Sequence, residues 1–291
     1  MTNIFKGSGV ALVTPFNDDF SIDFQGLKKL VRYQIDNGTD FLVVQGTTGE
    51  SPTLSMKEKL EVLKVVQEEN DGRLPIVFGV GGNDTVGVCE TLRSLPAGID
   101  GILSVSPYYN KPTQKGILEH YKDLAEATTL PIILYNVPGR TGSNMMASTT
   151  LELAKIDNIV AVKEASGDLV QIMDIIQNKP EGFDVISGDD AITMPMINLG
   201  AAGVISVVAN AFPRRFSEMV HESIANNVTL ARDAHYDLLH VTNLFFTEGN
   251  PGGVKVSLAK QGMMKETMRK PLYPVSEGLK LEIEKETDRI L

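Results

Sequence analysis

The amino-acid sequence predicts the α/β class, with eight β/α units closed into a barrel and an α-helical extension at the C-terminal end. Three observations carry this expectation. Short runs rich in Val, Ile and Leu recur along the chain, each ending in small or polar residues. Helical patterns fill every gap between them. The runs are continuously apolar rather than alternating, as strands of a parallel sheet covered on both faces must be.

The expected strands are Val10–Pro15, Phe41–Gln45, Ile76–Val80, Gly101–Val105, Ile132–Asn136, Ile159–Lys163, Asp184–Ser187 and Gly203–Val207. The helical patterns are Phe24–Asp36, Lys57–Asn70, Val86–Leu95, Gln114–Ala127, Thr149–Ile156, Leu169–Asn178, Ala191–Leu199 and Arg214–Ala225. Strict alternation implies right-handed parallel crossovers, and eight repeats favour a (β/α)8 TIM barrel over an open doubly wound sheet. Residues 1–225 are expected to form the barrel. Residues 226–291 are expected to form the helical extension, with Leu238, Leu239, Val241 and Leu244 available for packing or assembly.

Of 291 residues, 42% are hydrophobic and 22% charged, enough for a sizeable core. With 27 basic against 37 acidic residues the net charge is -10, which argues against nucleic acid or an anionic membrane as partner and favours a small molecule. The single cysteine, Cys89, cannot form an internal disulfide and suits a reducing compartment. The N-terminus, Met1-Thr2-Asn3-Ile4-Phe5-Lys6-Gly7, has no basic segment leading into an apolar one, and no long apolar run follows. A cytoplasmic location without export signal or membrane span is expected. His120, His221, His235 and His240 fall in outer or C-terminal helices without neighbouring ligands, so no metal is expected.

Barrels of this type build their sites from the loops after the strands. Lys163 ends the run Ile159-Val160-Ala161-Val162, which places its amine at the top of an apolar wall. Desolvation there favours the neutral amine, which can attack a ketone and form an iminium that acts as an electron sink. Taken alone, such a lysine more often carries its charge to water. Tyr135 ends the neighbouring strand and faces the same interior if the registers match. With Thr47 from Gly46-Thr47-Thr48-Gly49-Glu50 it forms a hydroxyl pair able to relay protons. Arg140, after a Pro-Gly turn, presents a planar fork that suits a carboxylate. Gly79-Val80-Gly81-Gly82 falls short of a dinucleotide fingerprint, because Asp84 stands where the third glycine belongs. The carboxylates of Asp189-Asp190 after strand 7 would repel a phosphate, against a phosphosugar isomerase.

Together, Gly46-Thr47-Thr48-Gly49-Glu50, Tyr135-Asn136-Val137-Pro138 and Lys163-Glu164-Ala165-Ser166-Gly167-Asp168 resemble the dihydrodipicolinate synthase / N-acetylneuraminate lyase family, over essentially the whole chain. The resemblance implies that Lys163 forms an imine with pyruvate, without an external cofactor, while Tyr135, Thr47 and Tyr109 move protons. It implies that Tyr109 acts across a subunit contact in a homodimer or homotetramer. Thr48, Gly188 and Ile205 would hold the pyruvate carboxylate and Arg140 that of a second substrate. Arg140 and Ser106-Pro107-Tyr108-Tyr109-Asn110 resemble the branch that condenses pyruvate with L-aspartate 4-semialdehyde for lysine and diaminopimelate synthesis. A sibling pyruvate-dependent aldolase, such as a sugar-acid lyase, and a non-catalytic barrel are the alternatives.

Ser51, Leu54, Asn83 and Tyr108 match the cleft where feedback-inhibited relatives bind lysine. Met56 and Lys59 replace histidines found there, and Gly87 replaces a glutamate that would pair with the ligand's ammonium. Weak or absent inhibition by lysine is the expectation, with Glu90 one turn further along the same helix.

Overall fold

A computed structural model describes residues 4–291, in which eight parallel strands close into one barrel in chain order, the eighth pairing with the first. Met1, Thr2 and Asn3, part of the segment read for an export signal, lie outside the described residues. The strands are β1 Gly7–Ala11, β2 Phe41–Val44, β3 Ile76–Gly79, β4 Gly101–Val105, β5 Ile132–Asn136, β6 Ile159–Glu164, β7 Asp184–Ser187 and β8 Gly203–Ser206.

The largest departure from expectation is β1, which starts at Gly7 rather than Val10 and ends at Ala11 rather than Pro15. Gly7-Ser8-Gly9 has the composition of a turn, yet its glycines are demanded by close approach. A Cβ on Gly9 would lie 2.2 Å from the Phe41 ring, and one on Gly203 would lie 2.1 Å from the Gly7 carbonyl oxygen across the β1–β8 seam. Beyond Ala11, Leu12 N–H still donates to Val43 O at 3.0 Å, after which the chain leaves the ladder. At the end of β2, Gln45 adopts a left-handed φ of 63°, so that strand stops at Val44. Gly79 and Ser206 close β3 and β8 one residue sooner than expected, and β6 runs one further, to Glu164.

Helices α1 Phe24–Asp36, α2 Met56–Asn70, α3 Thr85–Arg93 and α4 Gln114–Ala127 are followed by α5 Pro138–Thr141, α6 Ala147–Leu153, α7 Leu169–Asn178, α8 Thr193–Asn198 and α9 Pro213–Ile224. Capping explains several starts. Asp23 accepts from Gln25 and Gly26 N–H, Ser55 and Glu58 form a reciprocal capping box, and Asp168 accepts from Val170 and Gln171 N–H. The expected helix 149–156 instead ends at Leu153, where the chain tightens to bonds such as Ile156 N–H to Leu153 O. The expected helix 191–199 is split into a 3₁₀ turn, Asp190–Ile192, and α8, because the Asp189 side chain caps Ala191 N–H. α3 ends at Arg93 rather than Leu95, and α5 is a short turn that apolar periodicity does not reveal.

Period 2 divides each strand. Phe41, Val43, Val77, Leu103, Ile133, Ala161, Ile186 and Ile205 fill the barrel, while Leu42, Val44, Ile102, Leu134, Val162, Val185 and Val204 pack under the helices. One irregularity sets the site. The β5–β6 register shifts by one residue between Ile132 and Ile133, so Ile132 pairs with Ile159 but Tyr135 pairs with Lys163. Without the shift Tyr135 would face Val162 and lie on the opposite side of the sheet from Lys163.

After the barrel come α10 Val228–Thr247, α11 Gly252–Lys260 and α12 Glu277–Ile290. Leu238, Val241, Phe245, Val254, Leu258 and Ile283 join the same outer apolar cluster as the barrel helices. Among the described residues no helix is long and apolar enough to cross a membrane. A fully buried ion pair ties this extension to the loop after β2: Lys255 Nζ lies 2.5 Å from Glu50 Oε1 and donates to Thr267 O at 2.9 Å. Glu50 Oε2 accepts from Arg269 N–H at 2.9 Å. Losing one partner leaves an uncompensated charge, whereas replacing both by isosteres does not. Lys255→Met should cost about 3–5 kcal/mol in urea denaturation, and Glu50→Gln/Lys255→Met should recover most of it. Equal losses in the single and double variants would refute this account.

Candidate active site

Lys163 leaves β6 into the top of the barrel with only 6% of its surface exposed. Its Nζ sits 4.4 Å from the centre of the Tyr135 ring, which is 7% exposed. Burial lowers the ammonium pKa from the ordinary lysine range to about 8, with Arg140 lowering it further and Asp190 raising it. Burial also pushes the Tyr135 phenol up, while Arg140 and a hydrogen bond with the Thr47 side chain oppose that rise. Gly188 gives the lysine its room, since a Cβ there would lie 2.9 Å from Lys163 Cε. Its N–H donates to Glu164 O at 2.7 Å, holding the ends of β6 and β7 together. Ile205 lies in the inner apolar cluster.

Behind Lys163, on the helix side of β6, Glu164 is fully buried among polar partners: Asn136 Nδ2, Ser166 Oγ at 2.5 Å and Gln171 Nε2 at 3.3 Å. These contacts account for much of the Lys163-Glu164-Ala165-Ser166-Gly167-Asp168 motif as support for the strand end that carries the lysine.

The turn Thr47–Gly49 brings Thr47 to the Tyr135 phenol and buries Thr48. Thr48 Oγ1 accepts from Asn250 Nδ2 at 3.0 Å, so that hydroxyl's own proton is free to be donated elsewhere. Gly49 lets the turn close against the chain that follows β1, where Thr14 Oγ1 donates to Gly49 O at 2.7 Å. Asn250 lies 202 residues from Thr48 in the chain, and no local sequence signal links them.

A cavity of about 530 Å³ is lined by Thr47, Tyr135 and Arg140, whereas Lys163, Thr48, Gly188 and Ile205 are not part of its wall. Ser51, Asn83 and Tyr108 line the same cavity, together with Met56, Lys59 and Gly87. The residues matched to an effector cleft are thus continuous with the catalytic candidates within one chain. Leu54 is the exception, being buried in the outer core. Lys59 is half-buried and its ammonium pKa is lowered by that burial. Tyr109 stands apart: it is 86% exposed on a left-handed backbone (φ 73°) and is absent from the cavity wall.

In the sequence Asp190 is legible only as a repulsive charge. The structure buries it to 4% exposure, with Oδ2 accepting from Val207 and Val208 N–H at 2.9 and 3.1 Å. Its place two residues after Gly188 was the available signal.

The family model for the dihydrodipicolinate synthetase family matches residues 4–289. The chain is 55% identical over 271 residues to the 4-hydroxy-tetrahydrodipicolinate synthase of Parabacteroides distasonis, covering 92% of this chain and 91% of that one. Its counterpart in Flavobacterium psychrophilum is 52% identical over 277 residues, with 94% of each chain covered. Among solved structures, the Aquifex aeolicus dihydrodipicolinate synthase superposes with a TM-score of 0.94 at 39% identity, covering 98% of both chains. That of Acinetobacter baumannii, a chloride-inhibited enzyme complexed with pyruvate, gives 0.96 at 40% identity over 99% of this chain and 100% of the other. By barrel, strand-end motifs and similarity along nearly its whole length, the chain belongs to the dihydrodipicolinate synthetase family.

Proposed function

We propose that the chain condenses pyruvate with L-aspartate 4-semialdehyde through a Schiff base on Lys163, giving 4-hydroxy-tetrahydrodipicolinate for lysine and diaminopimelate synthesis. The observation that carries this reading is Lys163 itself, buried at the rim of the barrel, its pKa drawn down to about 8 and its amine set against Tyr135. A neutral amine in that position attacks the C2 carbonyl of pyruvate. Thr48, Gly188 and Ile205 surround the pyruvate carboxylate, with the Thr48 proton as donor. Tyr135 and Thr47 move protons to and from the carbinolamine oxygen until it leaves as water. The enamine then attacks the aldehyde, whose carboxylate is held by Arg140. Attack by the substrate's amine on the imine closes the ring and frees Lys163. The relatives' shared name supports the choice of aldehyde over that of a sugar-acid lyase.

Tyr109 completes the relay from a second copy of the chain. Its high exposure in the single chain and its separation from the cavity support this, and with it a homodimer or homotetramer. The acidic surface and the absence of a membrane-crossing helix among the described residues agree with a cytoplasmic enzyme acting on small molecules.

Borohydride added with pyruvate should leave a reduced pyruvyl group on Lys163, read by peptide mass spectrometry. Its yield should rise with pH through a midpoint near about 8, because the depressed pKa exposes neutral amine well below the ordinary lysine range. An adduct on another lysine would sink the mechanism.

Arg140→Ala should still trap pyruvate but lose about 30- to 1000-fold in kcat/KM for the aldehyde, corresponding to roughly 2–4 kcal/mol for a lost bidentate ionic contact. Unchanged kinetics with aspartate semialdehyde, coupled with cleavage of N-acetylneuraminate, would favour the sugar-acid lyase.

Lysine should inhibit weakly. The cleft sets Lys59 against its ammonium, and the carboxylate it holds near Gly87 is that of Asp84, whose Oδ2 lies 2.8 Å from where a Gly87 Cβ would stand; the repulsion from Lys59 carries the expectation that half-inhibition needs more than about 1 mM. A lower value in a steady-state titration contradicts the reading.

A further inference from the structure

Asn136 ends β5 one residue beyond Tyr135, so its side chain lies on the helix side of the sheet while the Tyr135 ring packs in the inner cluster. It is a fully buried amide, and each of its polar side-chain atoms is committed. Nδ2 donates to Glu164 Oε1 across the β5–β6 pair and to Asn144 Oδ1 at 2.8 Å, with Met145 O a third acceptor at 3.3 Å. Oδ1 accepts from Met145 N–H at 3.0 Å. The mechanism above assigns this amide nothing to do.

Its partners define a closed loop. From Asn136 the chain passes through Val137 into α5, the short turn that carries Arg140, reverses at Gly142 with a left-handed φ of 71°, and comes back to Asn136 at Asn144 and Met145. Met145 is fully buried in the outer apolar cluster, which draws the chain back, and its buried N–H and C=O must find partners. Asn136 and Gln171 supply them. Gln171 Nε2 donates to Met145 O at 3.3 Å, and Gln171 Oε1 accepts from Asn144 Nδ2 at 2.8 Å. Glu164 holds both amides in place by accepting from each. Arg140, exposed and on the cavity wall, thus sits on a turn whose two ends meet at one buried side chain.

We infer that Asn136 is a positioning residue for the second substrate: by closing the loop 136–145 it fixes Arg140 at the cavity wall and so governs recognition of the aldehyde's carboxylate without touching either substrate. The inference rests on the reading of Arg140 as that carboxylate's partner. A guanidinium binds a carboxylate through two parallel hydrogen bonds, so the placement of its backbone decides whether both can form. The lysine side of the site is supported separately, through backbone groups. Asn136 O accepts from Ala165 N–H at 2.9 Å and Glu164 O from Gly188 N–H at 2.7 Å, so loss of the Asn136 side chain leaves the pairing of Tyr135 with Lys163 in place. The clamp therefore acts on one substrate and not on the other.

Asn136→Ala in the full-length protein tests this, read by steady-state kinetics with aspartate semialdehyde and by borohydride trapping of pyruvate on Lys163. Its kcat/KM for the aldehyde should fall by about tenfold, the order expected when a binding group is displaced rather than removed, while half-maximal trapping stays within about twofold in pyruvate concentration. A cycle with Arg140→Ala separates positioning from general loosening of the fold. In the Arg140→Ala background, Asn136→Ala should cost less than about twofold further, because the group it places is gone. If Asn136→Ala does not fold, Asn144→Ala opens the same closure from an exposed position and should show the same split and the same non-additivity. Full additivity with Arg140→Ala, unchanged aldehyde kinetics, or a loss of pyruvate trapping as large as the loss with the aldehyde overturns the proposal and leaves the Arg140 assignment standing. Arg140→Ala kinetics equal to those of the unsubstituted protein overturn both.

Discussion

Closure of the sheet is the constraint on which the rest depends. Eight strands must meet with the first beside the last, and that seam is possible because Gly7 and Gly203 bring two backbones to a separation that no side chain fits. Gly9 similarly yields its side-chain space to the Phe41 ring. Once the barrel is shut, alternation assigns every strand residue to the interior or to the helix layer, and all strand ends converge on one rim. The interior is apolar throughout its lower layers, so a group at the rim meets little water below it.

That setting explains the chemistry at Lys163. An ammonium on a flexible stem normally reaches solvent, but here the stem is hemmed in by Tyr135, Gly188 and the inner cluster. The one-residue register shift between β5 and β6 decides that the phenol and the amine share a face. Desolvation then lowers the lysine and raises the tyrosine, so the amine gives up its proton while the phenol keeps its own, leaving a neutral nucleophile beside a proton donor.

The C-terminal helices are coupled to this rim. Asn250 hydrogen-bonds Thr48, and Lys255 and Arg269 hold Glu50 at the close of the same turn. Glu50 takes a left-handed φ of 56° there, a conformation maintained by partners on both of its carboxylate oxygens. A segment that reads in sequence as a packing appendix is thus part of what orients the hydroxyls of the Thr47–Gly49 turn.

The sequence alone carries the α/β repeat, the eight strands in order, and the strand-end positions of Lys163, Tyr135, Thr47 and Arg140, because strand periodicity and strand-to-loop transitions are local properties. It misplaced β1, since glycines required by close approach have the same letters as glycines that make turns. The pairing of Tyr135 with Lys163 emerges only in the folded sheet, because one inserted residue in a ladder leaves no compositional trace. Only the fold joined Asn250 to Thr48 across 202 residues, and buried Asp190 against the backbone leaving β8. Tyr109 marks a different boundary: its sequence motif is plain, yet a single chain leaves it exposed and away from the cavity. In each case the deciding quantity is a distance between residues far apart in the chain, set by packing rather than by neighbouring residues.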